Sequence, residues 1–428
     1  MRKTMVRWGV SALVAALVLA GVAAVGLEGR SSSIETGPAG GNRPHSVTEK
    51  GIAAKYLGDA GIENDSAVIF CENFESGYIN DLGGRWTSIS NKNEEVLALV
   101  KEAPPVSLGK RSLRMTATKG DNTGGHLWKL LETGYDKLYA RFYVKFAEDH
   151  PYIHHFVHMG ARIKSPNYPI GGAGYRPQGN VSFSTGIELG SRNESDPPGA
   201  WHFYTYWCEM RSYKTPEGVG TTCYGNPFGP AELEQAPRNK WQCVEFMIKC
   251  NSAPDTHDGE QAFWIDGRPV ARFAPGIPVG TWMRDKFHIT GVFNTDPQPF
   301  EGFRWRTSND LKINTFWLLY YMASVFQQDM KPANTDIPYN SDKGQVWFDD
   351  IVLATEYIGP IASDEPDSGQ SGCDFNGDGQ VTVADVIKLL LIQRDDPQDM
   401  WTDYNGDGKA NILDAVALLI DIMTGNCS

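Results

Sequence analysis

Apolar and polar residues alternate with a period of two through the middle of the chain. In the clearest run, residues 138–146, the even-numbered positions are apolar and the odd-numbered positions are polar or aromatic. Successive side chains of a strand point to opposite faces, so a half-buried strand produces this pattern. Helical patterns are scarce there, and turn residues separate the runs, which predicts a mainly β fold, a β-sandwich or jelly roll. The same period recurs in five further segments, residues 181–189, 201–213, 241–250, 260–266 and 346–354.

The N-terminus has the pattern of an export signal. Basic residues within the first seven positions precede a charge-free stretch of 20 residues from Trp8 to Leu27, and small residues at 22–24 offer a cleavage site. We expect residues 1–27 to be a signal peptide or, because the stretch is long enough to span a bilayer, an uncleaved membrane anchor. The remaining chain is then secreted or held at the cell surface, with membrane contact only if the segment stays uncleaved.

Composition divides the rest of the chain. Residues 28–65 and 363–372 are rich in Gly, Ser, Pro or charge and are predicted to be linkers, which leaves a central β domain at 66–362 and a tail at 373–428. The tail carries ten Asp against three Lys or Arg, and therefore contributes −7 of the net charge of −13. The remainder is nearly balanced in charge, which argues against a nucleic-acid partner.

Two similar acidic loops lie 29 residues apart in the tail. Each begins Asp-(Phe/Tyr)-Asn-Gly-Asp-Gly, has an Asp at its twelfth position and leads into an apolar, helix-like run. Calcium prefers many oxygen ligands, and the Gly at position six permits the turn that brings them together. The two predicted ligand sets are Asp374, Asn376, Asp378, Gln380 and Asp385, and Asp403, Asn405, Asp407, Lys409 and Asp414.

This tail resembles a type I dockerin, a small all-α module with paired F-hand calcium loops. The resemblance implies two bound Ca²⁺ ions and attachment of an extracellular, usually polysaccharide-degrading, enzyme to a cohesin-like scaffold protein. Dockerins commonly carry Lys-Arg pairs on the cohesin-binding helix face, and here that stretch is Leu389-Leu390-Leu391. The alternative is a calcium-stapled structural tail without a cohesin partner.

The central domain has a resemblance of its own. The segments at 70–77 and 346–352 are similar to the first and last strands of concanavalin-like jelly rolls, which often adjoin and can hold a structural calcium. The runs 241–249 and 258–267 look like those of secreted polysaccharide lyases with this fold, of the alginate and glucuronan lyase type. The resemblance implies a concanavalin-like jelly roll acting on a uronate-containing glycan.

Residues 152–164 are the strongest indication of a site in this domain. Their odd positions are mostly apolar, and their even positions are basic or aromatic, with His154, His158, Arg162 and Lys164 on that face. A strand of this kind fits the concave sheet of a jelly roll, where its basic face would suit an anionic polysaccharide. In the resembled lyases, a Tyr-x-Tyr strand faces the groove, and Tyr204-Thr-Tyr206 fits that position. The family has a Lys where His154 stands, which is a departure.

A lyase must neutralise the uronate carboxylate, remove the C5 proton and protonate the leaving oxygen. We expect His154 or His158 to be the base, Tyr204 or Tyr206 the acid, and Arg162 or Arg141 the partner of the carboxylate. Further substrate contacts are expected from four residues, Arg141, Lys164, Glu188 and Arg211.

Two other functions stay open. A glycoside hydrolase needs two carboxyl groups, and although the E-x-D-x-x-E pattern is missing, Glu188 and Glu209 could approach across neighbouring strands. A non-catalytic, lectin-like glycan-binding protein is the other alternative. Seven cysteines fit an oxidising compartment, with Cys373 and Cys427 bracketing the tail. Cys208 with Cys223 and Cys243 with Cys250 are expected local bridges.

Overall fold

The structure is a computed structural model. The predicted signal segment at 1–27, the linker at 363–372 and most predicted calcium ligands lie outside the residues it describes, so those predictions are not tested here. No helix within the described ranges is long and apolar enough to cross a membrane. The described residues are 51–164, 166–190, 194–322, 342–362, 373, 375, 380–395, 404 and 411–424.

The central domain is built from strands, as the alternation predicted. In chain order they are β1 (Val68–Glu72), β2 (Ser88–Ser90), β3 (Leu97–Val100), β4 (Ser112–Thr118), β5 (His126–Tyr135), β6 (Lys137–Phe146), β7 (Val157–Arg162), β8 (Ser182–Gly190), β9 (Ala200–Tyr206), β10 (Asn226–Phe228), β11 (Glu234–Gln235), β12 (Gln242–Lys249), β13 (Glu260–Ile265), β14 (Arg268–Phe273), β15 (Val279–Met283), β16 (Lys286–His288), β17 (Gln298–Pro299), β18 (Ile313–Leu319) and β19 (Lys343–Ala354).

These strands form two large antiparallel sheets and one small one. The first sheet has the order β14-β13-β12-β6-β19-β4-β3, with β1 also paired to β19. The second sheet has the order β10-β9-β8-β7-β18-β5-β2, with β11 also paired to β9. The small sheet is β16-β15-β17. The pairing of β1 with β19 confirms that the first and last strands of the domain adjoin.

One apolar core joins the two large sheets. Aromatic rings from both contribute to it: Phe156, just before β7, stacks on Phe348 of β19 at 5.2 Å, and Phe203 of β9 meets Phe263 of β13 edge to face at 5.2 Å. All four rings are fully buried. Burying one such ring stabilises the fold by roughly 2 kcal/mol, so the packing of rings from one sheet against rings from the other holds the two sheets of the sandwich together.

The outer face of the first sheet is covered by chain, which the sequence pattern did not predict. Residues 51–65, expected to be linker, contain two 3-10 helices, Ile52–Lys55 and Ile62–Asn64, that bury Ile52, Ala53 and Ile62 against this sheet. The segment 357–361 lies on the same face, held by Glu245, which accepts the backbone N–H groups of Ile358 and Gly359. A few apolar residues therefore decide the packing of a segment whose overall composition is polar.

Arg141 lies beneath this cover with no exposed side-chain surface. Its guanidinium forms an ion pair with Asp59 and donates to the backbone carbonyls of Asp350 and Gly359. The expectation that Arg141 contacts substrate is therefore wrong, because its side chain is fully enclosed between the first sheet and the segments that cover it.

The predicted local disulfides are also wrong. Cys208, Cys223, Cys243 and Cys250 are free thiols. Cys243 and Cys250 stand at opposite ends of one extended strand, about 23 Å apart at the usual rise per residue, whereas a disulfide holds its Cα atoms within about 7 Å. Cys427 lies outside the described residues, so its pairing with Cys373 stays a prediction.

Two helices, α1 (Val383–Asp395) and α2 (Ile412–Thr424), follow the acidic loops of the tail. They bury Val386, Leu389, Ala415 and Leu418 together. The two aspartates predicted to close the calcium loops lie at the starts of these helices. Asp385 accepts the backbone N–H of Thr382 at 2.7 Å, and Asp414 accepts that of Asn411 at 2.6 Å, which is the geometry of a capping box. The helices agree with the predicted module, and Gln380 is exposed at the entrance to α1.

The buried ion pair under the cover should make a large contribution to stability. We expect Asp59→Ala to lower the free energy of unfolding by about 3–5 kcal/mol, because it leaves the enclosed guanidinium of Arg141 without its counter-charge. Urea unfolding measures this change. In the control, Lys55→Ala removes a partner of Asp65 that is 63% exposed, and the loss should stay below about 1 kcal/mol. Equal losses in the two variants would show that the Asp59 pair is not buried in solution.

Candidate active site

The face of the second sheet that points away from the core carries a row of residues in direct register. Intervening residues such as Met159 and Ile187 point into the core and fix this face outward. The register of this row is therefore set by core packing as well as by backbone hydrogen bonds. From strand to strand the row runs Trp128 (β5), Trp317 (β18), His158 (β7), Gly186 (β8) and Tyr204 (β9).

A buried carboxylate organises the centre of this row. Glu188, on β8, is 3% exposed, and its Oε1 accepts from His158 Nε2 at 2.8 Å and from His155 Nδ1 at 2.9 Å. Burial alone would raise the pKa of Glu188, but the imidazole of His155 and then that of His158 more than offset it and hold this pKa well below its usual range. Glu188 is therefore an ionised acceptor that orients two imidazoles.

Gly186 makes this arrangement possible. A Cβ at this position would lie 2.7 Å from His158 Nε2 and 3.0 Å from Glu188 Oε1, both too close for non-bonded carbon. β8 therefore needs a residue without a side chain at the point where the imidazole of His158 passes over the strand to reach the carboxylate of Glu188. The alternation of β8 predicted its polar face, with Glu188 on it, but not this requirement.

His155 is the residue that the sequence pattern missed. The period-two pattern placed it on the apolar face of residues 152–164, with Phe156 on the polar face. In the structure Phe156 and Val157 are both fully buried, so the alternation breaks just before β7 begins. The break turns Phe156 into the core and His155 outward to Glu188. Two adjacent core residues with no polar residue between them are the signal that a strict alternation overlooks.

His154, predicted as a base, lies beside the cluster. Its ring is 4.2 Å from that of His155 and 5.7 Å from that of Tyr321. Tyr321 also stacks on His155 at 6.0 Å, with the two rings nearly parallel. Tyr321 and His155 bridge their backbones as well, which fixes the position of His155 although it lies outside a named strand.

Two tyrosines, Tyr204 and Tyr206, lie beside the carboxylate and its imidazoles. The ring of Tyr204 lies 5.4 Å from that of His155 and 5.5 Å from that of Tyr206. Burial is the largest cause that raises the pKa of Tyr204 well above the usual phenol value, and the neighbouring Tyr206 and the charge of Glu188 add to it. Burial also raises the pKa of Tyr206. Both phenols are therefore protonated at neutral pH and able to donate a proton.

The predicted cations are spread out. Arg162 is on the same face of β7 as His158 but four residues further on, about 13 Å away at the usual rise. There it lines a cavity together with Lys164, Lys312 and Asn314. Arg211 lies beyond the end of β9, with its guanidinium 4.3 Å from the ring of Trp282. The structure thus brings together His158, Glu188 and the two tyrosines, and it places the three predicted arginines elsewhere.

The carboxylate pair considered for hydrolysis does not form. Glu188 lies opposite His202 in β9, whereas Glu209 follows the far end of β9, past Tyr206, whose partner in β8 is Ser184. Glu209 is bound there by His257 at 2.8 Å and Arg304 at 3.2 Å. Retaining glycosidases need their carboxyl groups about 5–5.5 Å apart, so the predicted approach of these two is wrong.

Solved structures with a similar arrangement include two alginate lyases and one glucuronan lyase. The alginate lyase vAL-1 from Chlorella virus is 14% identical at a TM-score of 0.42, and the match covers 67% of this chain and 99% of that one. The PL-14 alginate lyase from Aplysia kurodai is 12% identical at 0.42, covering 68% and 100%. The endo-β-1,4-glucuronan lyase from Trichoderma reesei is 16% identical at 0.36, covering 67% and 95%. No family model and no curated protein matches this chain.

The bare backbone at Gly186 can be tested directly. We expect Gly186→Ala to displace His158 from Glu188, because the new methyl group would occupy the path of the imidazole. Nitrogen NMR of the histidine rings should show changed shifts for His158. Gly172→Ala serves as the control, since its Cβ would make only an ordinary 3.7 Å contact with Tyr206. Unchanged His158 shifts in Gly186→Ala would contradict the observed geometry.

Proposed function

We propose that this protein is a polysaccharide lyase that cleaves a uronate-containing glycan by β-elimination. The observation that carries the proposal is the pair of imidazoles held by one buried carboxylate directly beside a protonated tyrosine. Elimination needs a base for the C5 proton and an acid for the leaving oxygen, and these groups offer both within one cluster.

His155 is the base in this proposal. Glu188 accepts from Nδ1, which leaves the lone pair of the neutral ring on Nε2. This is how a carboxylate orients a general-base histidine in other enzymes. The side chain of His155 is 26% exposed, against 12% for His158, so His155 is the more accessible of the two rings. His158 then shares the carboxylate and supports the position of Glu188.

Tyr204 is the acid. A tyrosine is protonated at neutral pH, and the ring of Tyr204 is next to that of His155. His155 precedes β7 and Tyr204 is on β9, across β8, but their rings are 5.4 Å apart, so a base and an acid at these positions can act on the same sugar linkage without a large motion of either. Tyr206, in contact with Tyr204, is assigned to positioning rather than to proton transfer.

Arg162 and Lys164 are assigned to an anionic group in a neighbouring subsite. Their cavity is too far along β7 for the sugar whose proton His155 removes, but Arg162 and Lys312 still give this end of the face a basic character. A polymer with several uronates could use both places at once. The substrate class in the proposal is therefore a polyuronate rather than a single sugar acid.

The surroundings of the enzyme are part of the proposal. We infer an exported protein whose tail binds two Ca²⁺ ions and attaches it, as a dockerin would, to a cohesin-like scaffold. The support is the pair of repeated acidic loops and the two helices that follow them, with Asp385 and Asp414 at the start of each helix.

Product analysis tests the reaction. With alginate and glucuronan as substrates, we expect an unsaturated product with ultraviolet absorbance, and we expect His155→Ala and Tyr204→Phe each to lower kcat by about 10²–10⁴-fold, because each removes one proton-transfer group. His257→Gln is the matched control, since it breaks another His–Glu pair outside the cluster.

Three outcomes separate the alternatives. Reducing ends without the absorbance would establish hydrolysis, and binding of the polymer without turnover would establish a lectin. Full activity in His155→Ala with loss in His154→Ala would move the base to His154.

A third calcium ion is proposed for the jelly roll, where β19 adjoins β1. Asp349 and Asp350, in an irregular part of β19, each have one buried carboxylate oxygen without a hydrogen-bond partner. Burial is the main cause that raises the pKa of both groups, and their mutual repulsion adds to it for Asp349. Two enclosed and unsatisfied carboxylate oxygens fit a hard cation, which would replace the protons.

The sign of the pH dependence follows from these raised pKa values. Without divalent cations, the pair favours the folded state most below the unfolded Asp pKa of about 4, and this contribution is lost as pH rises through the folded values. We therefore expect stability to fall as pH rises above about 4 and through the raised pKa values of the pair, and calcium to restore it at pH 8. Calorimetric titration should count one Ca²⁺ fewer in Asp349→Asn than in the unmodified chain. An equal number of bound Ca²⁺ ions in the variant and in the unmodified chain would contradict the third calcium site.

A further inference from the structure

One group of metal-binding side chains stands out among the described residues. His155, His158 and Glu188 bring one ligand atom each within 4.8 Å of one another. Their present contacts of 2.8 and 2.9 Å are hydrogen bonds to a single carboxylate oxygen. The backbones that carry them are fixed by β7, β8 and the bridge between His155 and Tyr321.

We propose that these three residues bind a divalent transition metal ion, with Zn²⁺ as the best match, and that the bound ion switches off the lyase proposed above. Two imidazole nitrogens and one carboxylate oxygen are a common Zn²⁺ ligand set, and a fourth position stays open for water. Ca²⁺ and Mg²⁺ prefer oxygen ligands only, so the ions that suit the acidic loops do not suit this site.

The ion would require a local rearrangement of the two rings. Tetrahedral Zn²⁺ with bonds of about 2.0–2.1 Å places its ligand atoms about 3.3 Å apart, so each ring nitrogen would move away from Glu188 by about 0.5 Å, and the two ring nitrogens, which lie within 4.8 Å of each other, would take up the same separation. Gly186 has no side chain beside His158 Nε2, which leaves room for this movement.

The effect on the reaction follows from proton placement. A metal ion on Nδ1 of His155 takes the lone pair of that nitrogen, so the single proton of the neutral ring moves through solvent to Nε2. No proton is gained or lost overall, and no group is oxidised. Nε2 is the nitrogen assigned as the base, and once it carries the proton it cannot accept another. This step rests on the proposed function, whereas the binding of the ion does not.

Calorimetry with Zn²⁺ tests the site. The full chain, saturated with Ca²⁺ and freed of transition metals, is titrated at pH 7.5. We expect one Zn²⁺ site in the unmodified chain, its loss in Glu188→Gln, and at least about tenfold weaker binding in His158→Gln. His257→Gln should bind as the unmodified chain does, because the His257–Glu209 pair offers only two ligands. Circular dichroism checks that each variant is folded.

The outcomes are distinct. Absence of a Zn²⁺ site, or binding that is unchanged in both Glu188→Gln and His158→Gln, would overturn the proposed site. In the activity arm, Zn²⁺ at its measured dissociation constant should halve the rate, and a zinc-selective chelator should restore it. Zn²⁺ binding without loss of rate would overturn the switch. A chain without any lyase activity would contradict the proposed function alone, since calorimetry still decides whether the metal binds.

Discussion

The arrangement of side chains on the open face of the second sheet depends on one constraint, which is the burial of the Glu188 carboxylate. A buried charge is costly unless it is paired and hydrogen-bonded, and Glu188 meets that requirement through two imidazoles at once. To reach it, His158 has to lie directly across from Gly186, and His155 has to leave the apolar face of its own segment. The cluster is therefore a consequence of how a charge is stabilised inside a sheet, before any chemistry is considered.

The same physical requirement has a different result on the first sheet. There the buried charge is Arg141, and its partner Asp59 comes from a segment that covers the sheet. The backbone carbonyls of Gly359 and Asp350 accept further N–H groups of the guanidinium, and no solvent reaches the side chain. One sheet thus hides its charge under a cover, while the other leaves its charged cluster partly open. This difference explains why the candidate site lies on the second sheet.

Sequence patterns predicted the strands and much of the open face. The alternation in 181–189 placed Glu188 on a polar face, and the resemblance placed Tyr204 and Tyr206 toward a groove; in the structure all three lie on the open face of the second sheet. The predicted faces are wrong where the strict alternation of core-facing and outward-facing residues breaks. Phe156 and Val157 both enter the core, which reverses the assignment of His155 and of Phe156 itself. The prediction for Arg141 was wrong for another reason. The alternation assigns a residue to one face of a strand, but it does not show whether another segment covers that face. The cover comes from residues 51–65, whose few apolar side chains do not outweigh their polar composition.

The protonation states on the open face separate elimination from hydrolysis more clearly than the residue types do. A glycosidase needs a carboxylic acid whose pKa is raised, so that it can donate a proton, and often a second carboxylate free to attack. Glu188 has the opposite property, because the imidazoles lower its pKa and occupy its oxygen. The groups on this face that retain a proton are Tyr204 and Tyr206. In the proposed mechanism a phenol donates, an imidazole accepts and a carboxylate only orients, so the cluster would serve the proton transfers of β-elimination without the nucleophile of a retaining hydrolase.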